Sequence, residues 1–256
     1  MADDTDILVL LIQHGTLESD IFLCRSSNTV SIKIANELLG REMCLCLPFI
    51  HAMVGYGNTS SLYGLGKLKV FATLQSSQKI RSNVLIFGDI NASEEKIAEV
   101  GEQCVETLYT GQNVASIGLD KLRYLNVISS SYVPFDRIPP TSRACHFHSL
   151  RVQHQISTWK NLETVMPMEE YGFKKEDGAV LAITTDKPVA PADLLKDIGY
   201  SCQSANTLCA SCGCATKGLP CSIHCKCGGR CLNKPDILRD WNSKVTSQCE
   251  PVGMFL

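Results

Sequence analysis

The sequence predicts an α/β fold in three parts: a sheet core at the start of the chain, a mainly helical region, and a small zinc-stabilised cysteine-rich module near the end. An uninterrupted apolar run, ILVLLI, at residues 7–12 indicates a buried strand. Amphipathic helical patterns dominate between residues 34 and 159. Nine of the 14 cysteines lie after residue 200, which indicates a separate metal-binding segment.

The predicted core centres on the apolar run at residues 7–12, which is typical of a central strand buried on both faces of a parallel sheet. Residues 21–24 and 29–32 are the other candidate strands. Helical patterns that can pack on the sheet occupy residues 34–39, 42–53 and 68–74. Because two further strands are too few to cover a buried central strand, we expect the natural domain to have additional sequence before Met1.

The chain after residue 76 has a mainly helical pattern. Asn91 and Glu94 form a variant of a capping box before a helix that a glycine ends at residue 111. Two prolines and a threonine precede the last predicted helix, at residues 141–159, and another helix is predicted at residues 119–127. The predicted divisions are a core at 1–76, a helical region at 77–165, a linker with room for one hairpin at 166–199, the cysteine module at 200–233, and a tail at 234–256.

The composition is that of an ordinary globular protein. A hydrophobic content of 45% and a formal net charge of −2 exclude a disordered tail and a strongly basic nucleic-acid coat. The first residues, MADDTD, are acidic and no apolar run has the length of a membrane span, so we expect neither a signal peptide nor a membrane partner. We therefore expect reduced cysteines in an intracellular protein, in the nucleus rather than the cytoplasm.

A glycine-rich stretch at residues 51–67, HAMVGYGNTSSLYGLGK, is the first candidate site. Gly64 and Gly66 allow a tight turn, and Lys67 is predicted to open the next helix. The N–H groups at a helix start, together with a lysine, can bind a phosphate. The alternative is a pair of ordinary glycine turns.

Aspartates before the apolar run are the second candidate site. In an extended chain Asp4 and Asp6 lie on the same side, since side chains alternate with a period of two. Paired carboxylates are ligands for Mg²⁺ or Mn²⁺ in phosphodiester cleavage. The alternative is a solvated acidic chain start.

The acidic ADDTDILVLL start and the later GLGK turn resemble the flap-endonuclease (XPG-like) nucleases of the PIN-like superfamily. More narrowly, residues 2–233 resemble transposon-derived animal proteins that carry a GCDTTS-type motif, through LPFIHAM, PPTSRACHFHSLRVQHQISTWK and PADLLKDI. The resemblance implies a truncated PIN-like parallel-sheet core. It also implies that Asp4 and Asp6 are divalent-metal ligands and that Gly64, Gly66 and Lys67 bind DNA phosphates.

The chain departs from this pattern at the metal site. The GCD triplet reads Gly55-Tyr56-Gly57, so a hydrogen replaces a carboxylate, and acidic residues that such nucleases supply before the strand are missing. Fewer oxygen ligands leave a Mg²⁺ pair under-coordinated, so we expect little or no cleavage. The alternative is an active, metal-dependent, structure-specific DNA nuclease.

The cysteines near the end have the spacing C-x2-C-x-C-x6-C-x3-C-x-C-x3-C from Cys209 to Cys231. Tetrahedral zinc takes four thiolates and neighbouring ions can share sulfurs, so seven or eight cysteines predict about two zinc ions. Unpaired, inert thiols are the alternative. The predicted ligands are Cys202, Cys209, Cys212, Cys214, Cys221, Cys225, Cys227 and Cys231.

This spacing and the asparagine that follows it resemble one half of a tesmin-type CXC domain, a zinc–cysteine module that binds DNA. Tyr200 stands at the first cysteine of that pattern, and Cys202 is interpreted as a remnant of the first pair. Lys217, Lys226 and Arg230 are predicted either to contact phosphates or to form a solvated face. A third function is therefore a zinc-dependent DNA- or protein-binding module alone.

A polar stripe lies on the helix predicted at residues 141–159: His148, Arg151, Gln155 and Trp159 fall on one helical face. It is predicted either to line the junction with the cysteine module or to be an ordinary helix surface. Packing roles are predicted for His51, Cys44 and Cys46. Metal binding is not expected for Cys145, His146 and His148, because their spacing spreads them around the helix.

Overall fold

The computed structural model describes residues 5–15, 21–26, 28–57, 59–111, 116–129, 137–160, 167–187, 212–216, 220–221, 225–228 and 230–233. The chain divides into two compact units. The first combines Met1–Val114 with Ser142–Thr185, and the second combines Ala115–Thr141 with Asp186–Phe255. No described helix has the length and hydropathy needed to cross a membrane.

The described part of the first unit is mostly helical. Its elements in chain order are α1 Thr5–His14, β1 Phe22–Cys24, β2 Thr29–Ser31, α2 Ile32–Met53, α3 Lys67–Ser76, α4 Gln78–Val84, a 3₁₀ turn at Leu85–Gly88, α5 Glu94–Thr110, α7 Ser142–Trp159, a second 3₁₀ turn at Met168–Tyr171, β3 Phe173–Glu176 and β4 Ala179–Ala182. The core lies between α2, α5 and α7, where Phe49, Phe87 and Leu108 are almost fully buried.

The predicted strand at residues 7–12 is wrong, because these residues form α1. The helix buries Leu8, Val9 and Ile12 on one face and leaves Ile7 exposed. A continuous apolar run of six residues fits either a buried strand or a buried helix, and periodicity alone does not separate the two. Packing against α2 decides in favour of the helix.

The sheets of the described residues are small and antiparallel. β1 pairs with β2 through Phe22↔Ser31 and Cys24↔Thr29. β3 pairs with β4 as a hairpin within the segment predicted to be a linker. The chain is therefore mixed α/β, as predicted, but no parallel strand pair occurs among the residues that the structure describes.

The helix α2 is kinked at a glycine. Gly40 has φ 72° and ψ 156°, which interrupts the helix between the two patterns predicted at residues 34–39 and 42–53. Ser31 caps the start by accepting a hydrogen bond from Ile34 N, and the Cys44 thiol donates across the kink to Asn36 Oδ1 at 3.1 Å. The part after the kink is buried almost throughout, which confirms the packing role of Cys44 and Cys46.

The C-terminal cap of α5 is the predicted residue, but its N-terminal cap is not. Ser93, not Asn91, is the N-cap, and its hydroxyl accepts from Lys96 N. The helix ends, as predicted, at Gly111, which adopts a left-handed conformation with φ 66°. Serine is as good a cap as asparagine, so the sequence offered two nearby candidates.

The second unit contains α6 Leu119–Ser129 and a single helical turn, α8, at Gly213–Thr216. Leu119, Leu122 and Leu125 are buried on one face of α6. Arg123 Nη1 donates to the carbonyl of Pro139 at 2.6 Å, which fixes the chain that returns after α6. The same unit holds the cysteine cluster.

Candidate metal centre

Six cysteines of the second unit form a cluster of their own. All six are buried, and the partly buried hydrophobic residue that packs against them is Ala215. Leu232, the one large apolar side chain among the described residues of this segment, is 49% exposed, so the sulfur atoms themselves form its core. They are Cys212, Cys214, Cys221, Cys225, Cys227 and Cys231, all 8% exposed or less.

The backbone around the cluster folds so that the thiols point inward. The α8 turn places Ala215 N within 3.4 Å of Cys212 Sγ. A second turn is closed by the bond from Gly228 N to the Cys225 carbonyl at 2.8 Å. Two short turns therefore bring their cysteines together, although each turn is too short to be stable alone.

The sulfur atoms form two groups of three. Within each group the ligand atoms lie within 4.8 Å of one another, and Cys221 belongs to both. The first group adds Cys212 and Cys214, and the second adds Cys227 and Cys231. Among the described residues, these two groups are the sets of three or more cysteine, histidine or carboxylate side chains that can hold a metal ion.

The sulfur–sulfur distances match those of a metal–thiolate site. Cys212 and Cys221 sulfurs are 3.9 Å apart, and Cys214 and Cys225 sulfurs are 3.5 Å apart. Two thiolates on one tetrahedral zinc, with bonds of about 2.3 Å, are separated by about 3.8 Å. The cluster can therefore hold a metal ion without large movement of its side chains.

Burial keeps the thiols neutral when no ion balances their charge. It raises the pKa of Cys214 to about 12, and a hydrogen bond with Cys225 adds to this increase. Burial also raises the pKa of Cys221, with hydrogen bonds from Cys231 and Cys214 as further causes. A metal ion must displace these protons on binding, so metal affinity falls as the pH falls.

Asn233 contacts Cys221, the cysteine that both groups share. The sequence did not reveal this role of the asparagine. Its carbonyl accepts a hydrogen bond from Cys221 N at 2.8 Å, and its side-chain amide lies 3.9 Å from Cys221 Sγ. An amide donor near a thiolate stabilises the negative sulfur and fixes its orientation. The position of Asn233 two residues after Cys231 was the available signal.

The remaining predictions for this segment fall partly outside the described residues. Cys202, Cys209 and Lys217 lie outside them. Lys226 and Arg230 are exposed beside the buried thiols, and Arg230 Nε donates to the carbonyl of Cys227 at 3.0 Å. Positive charge therefore lies on the surface of the cluster.

Only one member of the predicted carboxylate pair lies in the described residues. Asp4 lies outside them, and Asp6 lies in the first turn of α1 rather than in an extended chain. The Asp6 carboxylate accepts a hydrogen bond from His51 Nε2. His51 in turn stacks on Trp159, with ring centroids 5.4 Å apart. The buried position predicted for His51 is confirmed, and Asp6 links α1 to α2.

The glycine turn before α3 has the predicted local geometry. Lys67 is the first residue of α3, and Gly66 is its N-cap with no side chain to occupy the N–H groups. Gly64 adopts φ 71°, which favours glycine. Phosphate binding by Gly64, Gly66 and Lys67 stays a prediction.

The first half of the glycine stretch forms the turn that follows the end of α2 at Met53. The Thr59 hydroxyl donates to the carbonyl of Ala52 at 2.7 Å and accepts from Tyr56 N at 2.7 Å, so it closes the turn after the helix. Gly55 has φ 104°, and a Cβ there would lie 2.8 Å from Ser61 Cα. Gly57 is exposed with φ 50°, and a Cβ there would have no neighbour within 4 Å.

Three of the four residues of the polar stripe on α7 are buried and Trp159 is partly exposed, so its interpretation as an ordinary helix surface is wrong. His148, Arg151 and Gln155 are 4%, 2% and 7% exposed. His148 Nε2 donates to the carbonyl of Met53 at 3.0 Å. Arg151 Nη1 donates to carbonyls of the segment that carries the β3–β4 hairpin, at 3.1 and 2.9 Å. His148 and Arg151 therefore donate hydrogen bonds to backbone carbonyls at the end of α2 and on either side of the β3–β4 hairpin.

Comparisons with protein-family models, with curated proteins and with solved structures found no match to this chain.

Proposed function

We propose that this chain is a zinc-dependent DNA-binding protein, that its C-terminal cysteine segment folds around about two zinc ions, and that it does not cleave DNA. The observation that carries the proposal is the pair of buried cysteine groups that share Cys221. None of the described cysteines is in a disulfide bond, so the six buried sulfurs of the cluster can serve as metal ligands.

The ligand chemistry favours zinc. Thiolate sulfur is a soft ligand that selects zinc, copper(I) or iron–sulfur centres over Mg²⁺ and Ca²⁺, and zinc takes tetrahedral all-sulfur sites. In the proposed centre Cys221 bridges two ions, and each ion takes two further thiolates from its own group. Cys225 and the predicted ligands Cys202 and Cys209 are candidates for the remaining positions.

Metal binding would also supply the folding free energy of the segment. Structural zinc in small peptides contributes about 10–16 kcal/mol. The described part of the segment has one helical turn and no strands, so regular secondary structure contributes little. We therefore propose that the segment loses its fold when the ion is removed.

The proposed DNA contact rests on charge. Lys226 and Arg230 are exposed next to the thiols, while the chain from residue 201 carries six Lys/Arg against three Asp/Glu. Such cations bind phosphates without sequence preference, and their contribution decreases with salt. The resemblance to a CXC domain points in the same direction and makes the nucleus the proposed location.

Descent from a flap-endonuclease-like, transposon-derived protein stays a hypothesis based on sequence resemblance. Two observations favour a non-catalytic protein over an active nuclease. Asp6 is bound by His51, and Gly57 has no carboxylate where the resembled family has a metal ligand.

The test of zinc binding uses the full chain. Metal content is measured by native mass spectrometry for the unmodified chain, Cys221→Ala, and the matched control Cys24→Ser, which removes an exposed cysteine of the first unit. We expect about two zinc ions in the unmodified chain and the control, and loss of both in Cys221→Ala. A chain that binds no zinc would overturn the proposal.

DNA binding and cleavage are measured on the same samples. We expect salt-dependent DNA binding that disappears when a chelator removes zinc. Flap and single-stranded DNA are also incubated with the chain in Mg²⁺ or Mn²⁺. Metal-dependent cleavage that vanishes in Asp4→Ala would show an active nuclease instead.

A further inference from the structure

Two of the clustered thiols, Cys214 and Cys225, are close enough to react with each other. Their sulfurs are 3.5 Å apart, compared with 3.9 Å for Cys212 and Cys221. A disulfide bond is about 2.05 Å long, so the first pair must approach by about 1.5 Å and the second by about 1.9 Å. Of these two pairs, Cys214–Cys225 needs the shorter movement to form a disulfide.

The two cysteines differ in their relation to the metal groups. Cys214 belongs to the group with Cys212 and Cys221, whereas Cys225 lies outside both groups of the described residues. The second group, Cys221 with Cys227 and Cys231, contains neither member of the pair. A bond between Cys214 and Cys225 therefore removes a thiolate from the first group and leaves all three thiolates of the second.

We infer that the cluster is a graded redox switch, in which oxidation of Cys214 and Cys225 to a disulfide releases the ion of the first group and retains the ion of the second. The inference rests on the proposed zinc binding and adds a regulation to it. A disulfide sulfur carries no negative charge and is a poor zinc ligand, so the first group keeps only Cys212 and the shared Cys221 from its three thiolates.

The oxidation is balanced with hydrogen peroxide as the oxidant. One thiolate of the pair attacks a peroxide oxygen, which gives a sulfenic acid and releases hydroxide. The second thiolate attacks the sulfenic sulfur, forms the S–S bond and releases another hydroxide. Two electrons leave the two sulfurs, and two protons from solvent convert the hydroxides to water. Reduction by a dithiol reverses the step and restores the ligand.

The experiment oxidises the full, zinc-loaded chain with increasing hydrogen peroxide. Zinc per chain is counted by native mass spectrometry, and disulfides are identified in tryptic peptides. The Cys214–Cys225 and Cys212–Cys221 bonds would both join the peptides that end at Lys217 and Lys226, so fragment-ion sequencing is used to distinguish them. We expect zinc to fall by about half as the Cys214–Cys225 bond appears, and to return when a dithiol and zinc are added.

Cys225→Ser is the informative variant, because it removes one partner of the disulfide and keeps the three thiolates of each group. Since Cys225 is also a candidate ligand, zinc per chain is counted before peroxide is added, and the zinc loss is expressed relative to that count. We expect it to need several times more peroxide for the same zinc loss. Cys24→Ser, at an exposed position outside the cluster, is expected to behave like the unmodified chain.

The outcomes separate this inference from the proposed function. Loss of all zinc in one step, a first disulfide between other cysteines, or unchanged peroxide sensitivity in Cys225→Ser would overturn the switch while zinc binding stands. A chain that binds no zinc before oxidation would overturn the proposed function and the switch together.

Discussion

Asn233 contacts Cys221 twice, through a backbone hydrogen bond of 2.8 Å and through a side-chain amide 3.9 Å from the sulfur. Cys221 is the cysteine that both metal groups share. The asparagine therefore supports the one thiol on which both proposed ions depend. Its contribution can be measured separately from that of the ligands.

Replacing this amide should weaken zinc binding without abolishing it. In Asn233→Ala the backbone bond remains but the donor to Cys221 Sγ is lost, and removal of such a supporting group costs about 10–100-fold in metal affinity. Competition with a chelator of known affinity measures the change. Leu232→Ala, at a half-exposed neighbouring position, is the control and should bind zinc normally. Equal affinities in the two variants would contradict the role of the amide.

A pH dependence of stability follows from His148 on α7. Burial, together with the positive charge of Arg151, lowers the pKa of His148 to about 4 from 6.5. The unfolded chain therefore binds more protons between these values, and stability is present above pH 6.5 and is lost as the pH falls toward 4. At pH 5 this contributes a loss of about 2 kcal/mol.

The measurement compares urea unfolding of the unmodified chain and His148→Gln at pH 7 and pH 5. Glutamine can still donate to the Met53 carbonyl but does not titrate. The difference between the two proteins isolates His148 from other histidines, including the partly buried His154, whose pKa burial also lowers. If both lose the same stability, His148 does not cause the effect.

The close approach of α5 and α7 should make Gly101 sensitive to substitution. A Cβ at Gly101 would lie 1.9 Å from Ser149 Oγ and 2.8 Å from Ser149 Cβ. Overpacking costs about 1–3 kcal/mol, which exceeds the roughly 1 kcal/mol that alanine gains over glycine in a helix. We expect Gly101→Ala to lower the melting temperature.

The control for this prediction is Gln75→Ala, because Gln75 is exposed on α3 and alanine adds no atom to a packed position there. Its stability should change by less than about 0.5 kcal/mol. Adding Ser149→Ala to Gly101→Ala should recover part of the loss, because it removes the closest contact. No recovery would place the strain elsewhere.

We expect Asp6 to stabilise the fold rather than to bind metal or DNA. Asp6→Ala leaves the largely buried His51 without its carboxylate partner, which should cost about 1–3 kcal/mol. Urea unfolding measures the loss. Glu37→Ala, at an exposed position, is the control. DNA binding of the folded fraction should be the same in both variants, and a selective loss in Asp6→Ala would indicate a binding role instead.

Restoring the missing carboxylate should not restore cleavage. Gly57 is exposed at φ 50°, a conformation that aspartate tolerates better than most residues, so Gly57→Asp should fold. One carboxylate does not complete an Mg²⁺ pair, and Asp6 remains bound to His51. Incubation with flap DNA and Mg²⁺ should therefore give no product. Robust cleavage by this single variant would show that the metal site was misplaced.

The helices were the most predictable part of the fold. The patterns at residues 34–39 and 42–53 correspond to the two halves of α2, and the predicted helix at residues 141–159 corresponds to α7. The apolar run at residues 7–12 was not predictable, because six consecutive apolar side chains have no period that separates a strand from a helix. Its contact with α2 determines that it is α1.

Cysteine spacing by itself predicted a segment that can hold a metal ion, because four thiolates close in sequence suit a tetrahedral zinc site. Only the tertiary structure decided that Cys221 is shared by two groups, that three residues of the polar stripe of α7 are buried, and that Asp6 pairs with His51 across 45 positions of sequence. These relationships depend on which distant carbonyl or carboxylate a side chain meets. A local sequence pattern does not predict these partners, because a buried polar group forms its hydrogen bond with whichever group the tertiary packing places beside it.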